Sequence, residues 1–143
     1  MTTIAYRKDE KILAGDKLFD VGGTPVPGIK IHKIGALLCG WSGGFDNTQR
    51  FFDWIQEGRP NDKKPSMEKD QGFVGIIIEN EEIYRYEMGL FPIKINKPFW
   101  AIGSGSDYAL AAMEMGATAE QAIEIASRLD LYTGLGVDTV TAE

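Results

Sequence analysis

Between Phe73 and Glu79 the chain reads Phe-Val-Gly-Ile-Ile-Ile-Glu, so Val74, Ile76, Ile77 and Ile78 leave almost no polar alternation. A strand of this kind is apolar on both faces and needs a covering layer on each side. The flanking residues supply partners for it. Asn80-Glu81 turns the run back into Glu82–Glu87 as a hairpin, and Thr3–Arg7 with Lys11–Asp16 flank the charged turn Lys8-Asp9-Glu10 as another. Ile29–Ile34 and Ala36–Trp41 are two further strands meeting at Gly35, whereas Gly22–Gly28 reads as a loop because Gly and Pro at that density interrupt helix and ladder alike.

Helical signals are fewer. After Gly43-Gly44, Asp46 or Asn47 is placed to cap a helix carrying Phe51, Phe52, Trp54 and Ile55 on one face, which covers a sheet. Gly58–Gln71 has no apolar residue except Met67 and Pro and Gly, and reads as an exposed, mobile connection. Pro92 and Pro98 bracket a short extended piece, and Phe99–Ile102 is strand-like. Ser106–Met115 and Thr118–Leu129 read as two helices separated by Gly116, the second opened by a Thr118-x-x-Gln121 capping box. A strand, Val137–Thr141, closes the chain. This order describes an α+β layered fold in which two sheets face each other under outer helices. Residues 1–143 fit one domain, with no internal repeat or low-complexity segment.

Composition removes several classes of function. The net charge of −6 argues against nucleic acid and anionic membrane, because affinity for phosphate comes chiefly from clustered Lys and Arg. No apolar run approaches the roughly 18 residues of a membrane span, and Arg7–Lys11 breaks any signal-peptide pattern, so a cytoplasmic location is expected. Cys39 is the only cysteine, which excludes an intrachain disulfide and suits a small buried hydrophobe. His32 is the only histidine, so a His-rich metal site is excluded. Strand alternation would put Ile29 and Ile31 inward and Lys30 and His32 on the other face.

Two segments carry chemistry. If Met1 is removed, Thr2 presents a hydroxyl beside its own α-amine, a recognised way of activating a poor nucleophile. Gly103-Ser104-Gly105-Ser106 follows a strand and opens a helix, as a phosphate cradle would, but Tyr108 occupies the third glycine position of a dinucleotide fingerprint.

Thr2–Arg7, Ile12–Asp16, Gly28–Ile34, Gly40-Trp41-Ser42-Gly43-Gly44, Ala101–Gly105 and Asp130–Thr133, in this order and spacing, resemble the proteasome β-subunit and bacterial HslV peptidase family of N-terminal-nucleophile hydrolases. The resemblance spans nearly the whole chain. It implies a four-layer αββα sandwich and a threonine peptidase in which Thr2 Oγ attacks the peptide carbonyl. Lys30 would then sit beside that hydroxyl, Asp16 would hold Lys30, and the Gly43 N–H would face the developing oxyanion. Ser104 would reach the Thr2 amine, and Asp130 and Thr133 would orient both. No metal or organic cofactor is implied; the substrate it implies is peptide or unfolded protein, and the assembly it implies is a homo-oligomer.

Two departures stand out. Asp20 occupies a position where the family pattern has threonine, and the stretch from Trp54 to Phe73 is shorter than the family's, where a longer helical layer serves ring contacts. An ATP-dependent unfoldase is therefore left open as a partner. Trp41, Phe51, Phe52, Trp54, Phe91, Phe99 and Trp100 amount to more aromatic surface than so small a domain is expected to bury alone, which favours oligomerisation. The alternatives are a catalytically silent scaffold of the same family and a small-molecule amidase of the same fold.

Overall fold

The computed structural model describes residues 2–142; Met1, on whose removal the reading of Thr2 depends, lies outside the described residues. Its strands are β1 Thr3–Arg7, β2 Ile12–Asp16, β3 Leu18–Val21, β4 Thr24–Pro27, β5 Ile31–Ile34, β6 Leu37–Gly43, β7 Phe73–Glu79, β8 Glu82–Tyr86, β9 Ile93–Ile95, β10 Phe99–Gly103 and β11 Val137–Thr141. Its helices are α1 Phe45–Gln56, α2 Ser106–Glu114 and α3 Ala119–Leu129. One antiparallel sheet runs β10-β1-β2-β11 and a second β5-β6-β7-β8-β9, with β3 and β4 forming a separate two-stranded ribbon.

The two larger sheets pack face to face. Ile4, Tyr6, Leu13 and Ile102 of the first meet Ile31, Leu38, Ile76, Ile78 and Ile83 of the second in one buried cluster. Period-two alternation sends Ala5, Ala14 and Ala101 to the outer face of the first sheet, where these short side chains let Ala109, Met113, Ala119, Ala122 and Ile123 of α2 and α3 come close. On the far side, Cys39, Ile77 and Tyr86 receive Phe51, Trp54 and Ile55 of α1. The layers are thus helix pair, sheet, sheet, helix: an αββα sandwich. β7 is covered on both faces, Ile76 and Ile78 by one sheet and Ile77 by α1, as its unbroken apolar run requires.

Several expectations are corrected. Gly22–Gly28 is not a plain loop: Gly22-Gly23 is a turn, and β3 pairs with β4 in the register Phe19↔Val26 and Val21↔Thr24. Pro25 and Pro27 are tolerated because each strand of a two-stranded ribbon has an unpaired edge. Neither Asp46 nor Asn47 caps α1; Gly44 is the N-cap, and no side chain bonds there. Lys30 precedes β5 instead of lying in a strand, so the alternation breaks: Ile29 is exposed while Lys30 and Ile31 are both buried. The Gly58–Gln71 connection contains one 3-10 turn, Asn61–Lys63, and is tied down: Trp54 Nε1 donates to the Pro60 carbonyl, and Arg50 donates to the Ser66 carbonyl. The aromatic residues turn largely inward. Phe51, Trp54 and Phe99 are buried, Trp41 and His32 stack at 5.0 Å, and of the seven only Phe91 is exposed.

Candidate active site

The first sheet brings the N-terminus to the end of β10. β1 and β10 pair with Thr3 opposite Gly103, and a Cβ at Gly103 would run into the Thr2 carbonyl, so only glycine, here at φ +99°, lets the two strands close on this point. Ser104 follows directly. Its Oγ accepts a hydrogen bond from the Thr2 N–H at 3.1 Å and donates to Asp130 Oδ2 at 2.6 Å. Thr133 Oγ1 donates to the same carboxylate oxygen at 2.6 Å and lies 2.7 Å from Thr3 Oγ1.

A second arm reaches Thr2 from β2. Asp16 has no exposed surface, and its carboxylate accepts from the backbone N–H groups of Thr3, Leu18 and Gly134 at 3.0, 3.2 and 3.1 Å. Lys30 Nζ completes it, 3.0 and 3.1 Å from the two oxygens, and donates to Thr2 Oγ1 at 3.0 Å. An ammonium has donors only, so Thr2 Oγ1 accepts from Lys30 and its own O–H is left to point elsewhere. The positive charge at that distance favours a deprotonated hydroxyl.

Two pKa shifts bear on this arrangement. Burial pushes the Lys30 ammonium below its ordinary value, while Asp16, through charge and hydrogen bonding, pulls it back up. Burial would push the Asp130 carboxyl up, but hydrogen bonds from Ser104, Thr133 and the Tyr132 backbone outweigh it and hold the group below the ordinary carboxylate value. Cys39, by contrast, is buried between sheet and α1 with its thiol pushed up to about 12 by burial, which suits packing and not nucleophilic chemistry.

Thr2, Lys30 and Gly43 share the wall of a cavity of about 490 Å³, together with Phe19, Trp41 and Phe45. Gly43 has φ +138°, and a Cβ there would meet the Gly72 carbonyl oxygen. The phenyl ring of Phe19 lies 5.2 Å from Lys30 Nζ, a cation–π contact. Thr2, Asp16, Lys30, Ser104, Asp130 and Thr133 thus form one connected network, with Gly43 across the cavity. Sequence reasoning missed Thr3, whose N–H and Oγ1 join the two arms, and Phe19. The Thr2-Thr3 pair was the available signal for the first; nothing in the loop-like Gly/Pro segment after Phe19 signalled the second. Among the described residues no group of three or more His, Cys, Asp or Glu is placed to hold a metal ion.

No family model matches this chain, and no curated protein matches it by sequence. Solved structures do. HslV from Trypanosoma brucei superposes with a TM-score of 0.77 at 18% identity, covering 97% of this chain and 98% of that one. BPH from Thiobacillus denitrificans in complex with epoxomicin gives 0.70 at 19% identity, covering 98% and 97%. The same BPH in a second structure gives 0.69 at 17%, covering 97% and 95%. The chain therefore has the HslV fold from end to end, and the short stretch between Trp54 and Phe73 takes no layer away from it.

Proposed function

We propose that this chain is an N-terminal threonine hydrolase that cleaves peptide bonds, active once Met1 is removed. Thr2 Oγ attacks the carbonyl carbon while its proton passes to the Thr2 amine, directly or through one water. Lys30 stays charged and lowers the cost of the alkoxide. The carbonyl oxygen becomes an oxyanion facing the Gly43 N–H. Collapse of that intermediate breaks the C–N bond, the amine proton goes to the leaving nitrogen, and an ester on Thr2 remains. Water, deprotonated by the same amine, then attacks the ester and restores Thr2. Ser104, held by Asp130, keeps the amine in place, and Thr133 steadies Asp130.

The observation that carries this reading is the Lys30 ammonium, 3% exposed, seated 3.0 Å from Thr2 Oγ1 on a wholly buried Asp16. A silent scaffold gains nothing from burying that pair, since breaking even with a hydrophobic replacement is the usual outcome. The reading extends to peptides or unfolded protein as substrate, to a homo-oligomer in the cytoplasm, and to an ATP-dependent unfoldase as the partner that would feed it.

Thr2→Ala tests the nucleophile. The change removes one hydrogen bond from Lys30, whose two contacts to Asp16 remain, so stability should fall by only about 1 kcal/mol. Turnover of fluorogenic peptides should vanish while Thr2→Ser keeps a measurable rate. Equal turnover in Thr2→Ala and wild type would remove Thr2 from the mechanism.

A further inference from the structure

Asn47, in the first turn of α1, is fully buried. A buried primary amide is costly unless its donors and its acceptor are all used. Here they are used on a single segment. Asn47 Nδ2 donates to the Glu68 carbonyl at 3.0 Å and the Gln71 carbonyl at 3.4 Å, and Oδ1 accepts from the Glu68 N–H at 2.7 Å. That segment is the end of the Gly58–Gln71 connection, and the next residue, Gly72, lines the cavity. The Gly44 N–H donates to the Gly72 carbonyl at 3.0 Å, the Gly72 backbone lies where a Cβ at Gly43 would be, and the Gln71 side chain lies where a Cβ at Gly44 would be.

We infer that Asn47 is a positioning residue for the Gly43-Gly44 turn, acting through the Glu68–Gly72 segment. Gly43 and Gly44 have no side chains of their own to lock them, and their conformation is set by what packs against them. The Gln71-Gly72 backbone and side chain fill that role, and Asn47 fixes that stretch to the helix that begins at Phe45. A rigid helix thereby holds both ends of the turn: Gly44 as its N-cap and Gly72 through Asn47. The catalytic consequence rests on the role proposed above for the Gly43 N–H. Preorganised donors of that kind lose their effect when they are free to move.

Two readouts separate the mechanical link from the chemistry. In Asn47→Ala, hydrogen exchange should accelerate at the Gly44 amide and over Glu68–Gly72, and kcat on a fluorogenic peptide should fall about 10- to 100-fold with KM within about twofold. Asn47→Asp, which keeps the acceptor for Glu68 N–H but turns a carboxylate oxygen toward the two carbonyls, should move both readouts the same way and serves if the alanine variant does not fold. Ile123→Val, a core change in α3 on the opposite outer layer, should lower the melting temperature without changing either. Unchanged exchange at Gly44, or faster exchange with unchanged kcat, would overturn the assignment. If wild-type protein beginning at Thr2 has no turnover at all, the hydrolase reading fails instead, and the exchange result alone still decides whether Asn47 braces the turn.

Discussion

Asp16 keeps three backbone N–H partners even without its lysine, whereas Lys30 without Asp16 keeps an ammonium buried against Thr2 Oγ1 and the Phe19 ring. The two halves of the pair are therefore unequal. Breaking a buried ion pair by removing one partner costs roughly 3–5 kcal/mol, and Lys30→Met should fall at the low end of that range, while Asp16→Ala, which strands three amides and a charge, should cost more. Chemical denaturation of both variants checks the ranking, and a less stable Lys30→Met would reverse it. The pH profile follows from the same atoms. The Thr2 amine must be neutral to take a proton, and its ordinary value is about 7.7–8.0; Lys30 must stay charged, and its value lies below the ordinary 10.5. Turnover by the form beginning at Thr2 should rise through the amine and fall again before pH 10.5, giving a bell. A rate still climbing at that pH would contradict it. Asp130 adds an acid limit to stability: with its folded value depressed, its contribution is present above the unfolded carboxyl at about 3.9 and is lost as pH falls through the lower folded value. At this scale Lys30 and Asp16 were legible only as a family pattern, because the local alternation that should have placed Lys30 fails where the strand begins only at Ile31.

Elements whose signals are local came through well. The Thr118-x-x-Gln121 box is present with both bonds at 3.0 Å, and β7, β11 and the Lys8–Glu10 hairpin stand where their residues put them. Thr118→Ala should cost about 1 kcal/mol, lowering the melting temperature by about 3 °C and leaving kcat unchanged, since α3 enters the cavity wall nowhere. A scanning calorimetry trace identical to wild type would show that the box contributes nothing. Less legible were elements whose state is set by partners. β4 carries two prolines and exists as a strand because β3 pairs one of its edges. Asn47 looked like a cap on spacing alone, but its amide is taken by Glu68 and Gln71, residues that no helix-start rule refers to.

Across the whole molecule, the double apolar face of β7 was enough to require layers on both sides, whereas the αββα order came from the family resemblance and not from the pattern itself. The assembly of the site was not readable in that way. Thr2 meets Ser104 across 102 residues through the pairing of β1 with β10, and Lys30 across 28 through the packing of one sheet on the other, contacts invisible to any local window. The aromatic surplus was also misjudged, since α1 and the β6–β8 face absorb most of it in one cluster of Trp41, Phe51, Phe52, Trp54, Phe73 and Tyr86. All of these parts converge on one nitrogen. The Thr2 N–H already points at Ser104 Oγ, and the proposed reaction needs that nitrogen to be a free amine. The most direct measurement compares protein that keeps Met1 with protein that begins at Thr2, by peptide turnover and by intact mass after exposure to a threonine-directed epoxyketone. The expected result is turnover, and one covalently bound inhibitor per chain, only in the form beginning at Thr2. Comparable turnover and labelling in both forms would show that the Thr2 amine is not the base and that the chain works by other groups.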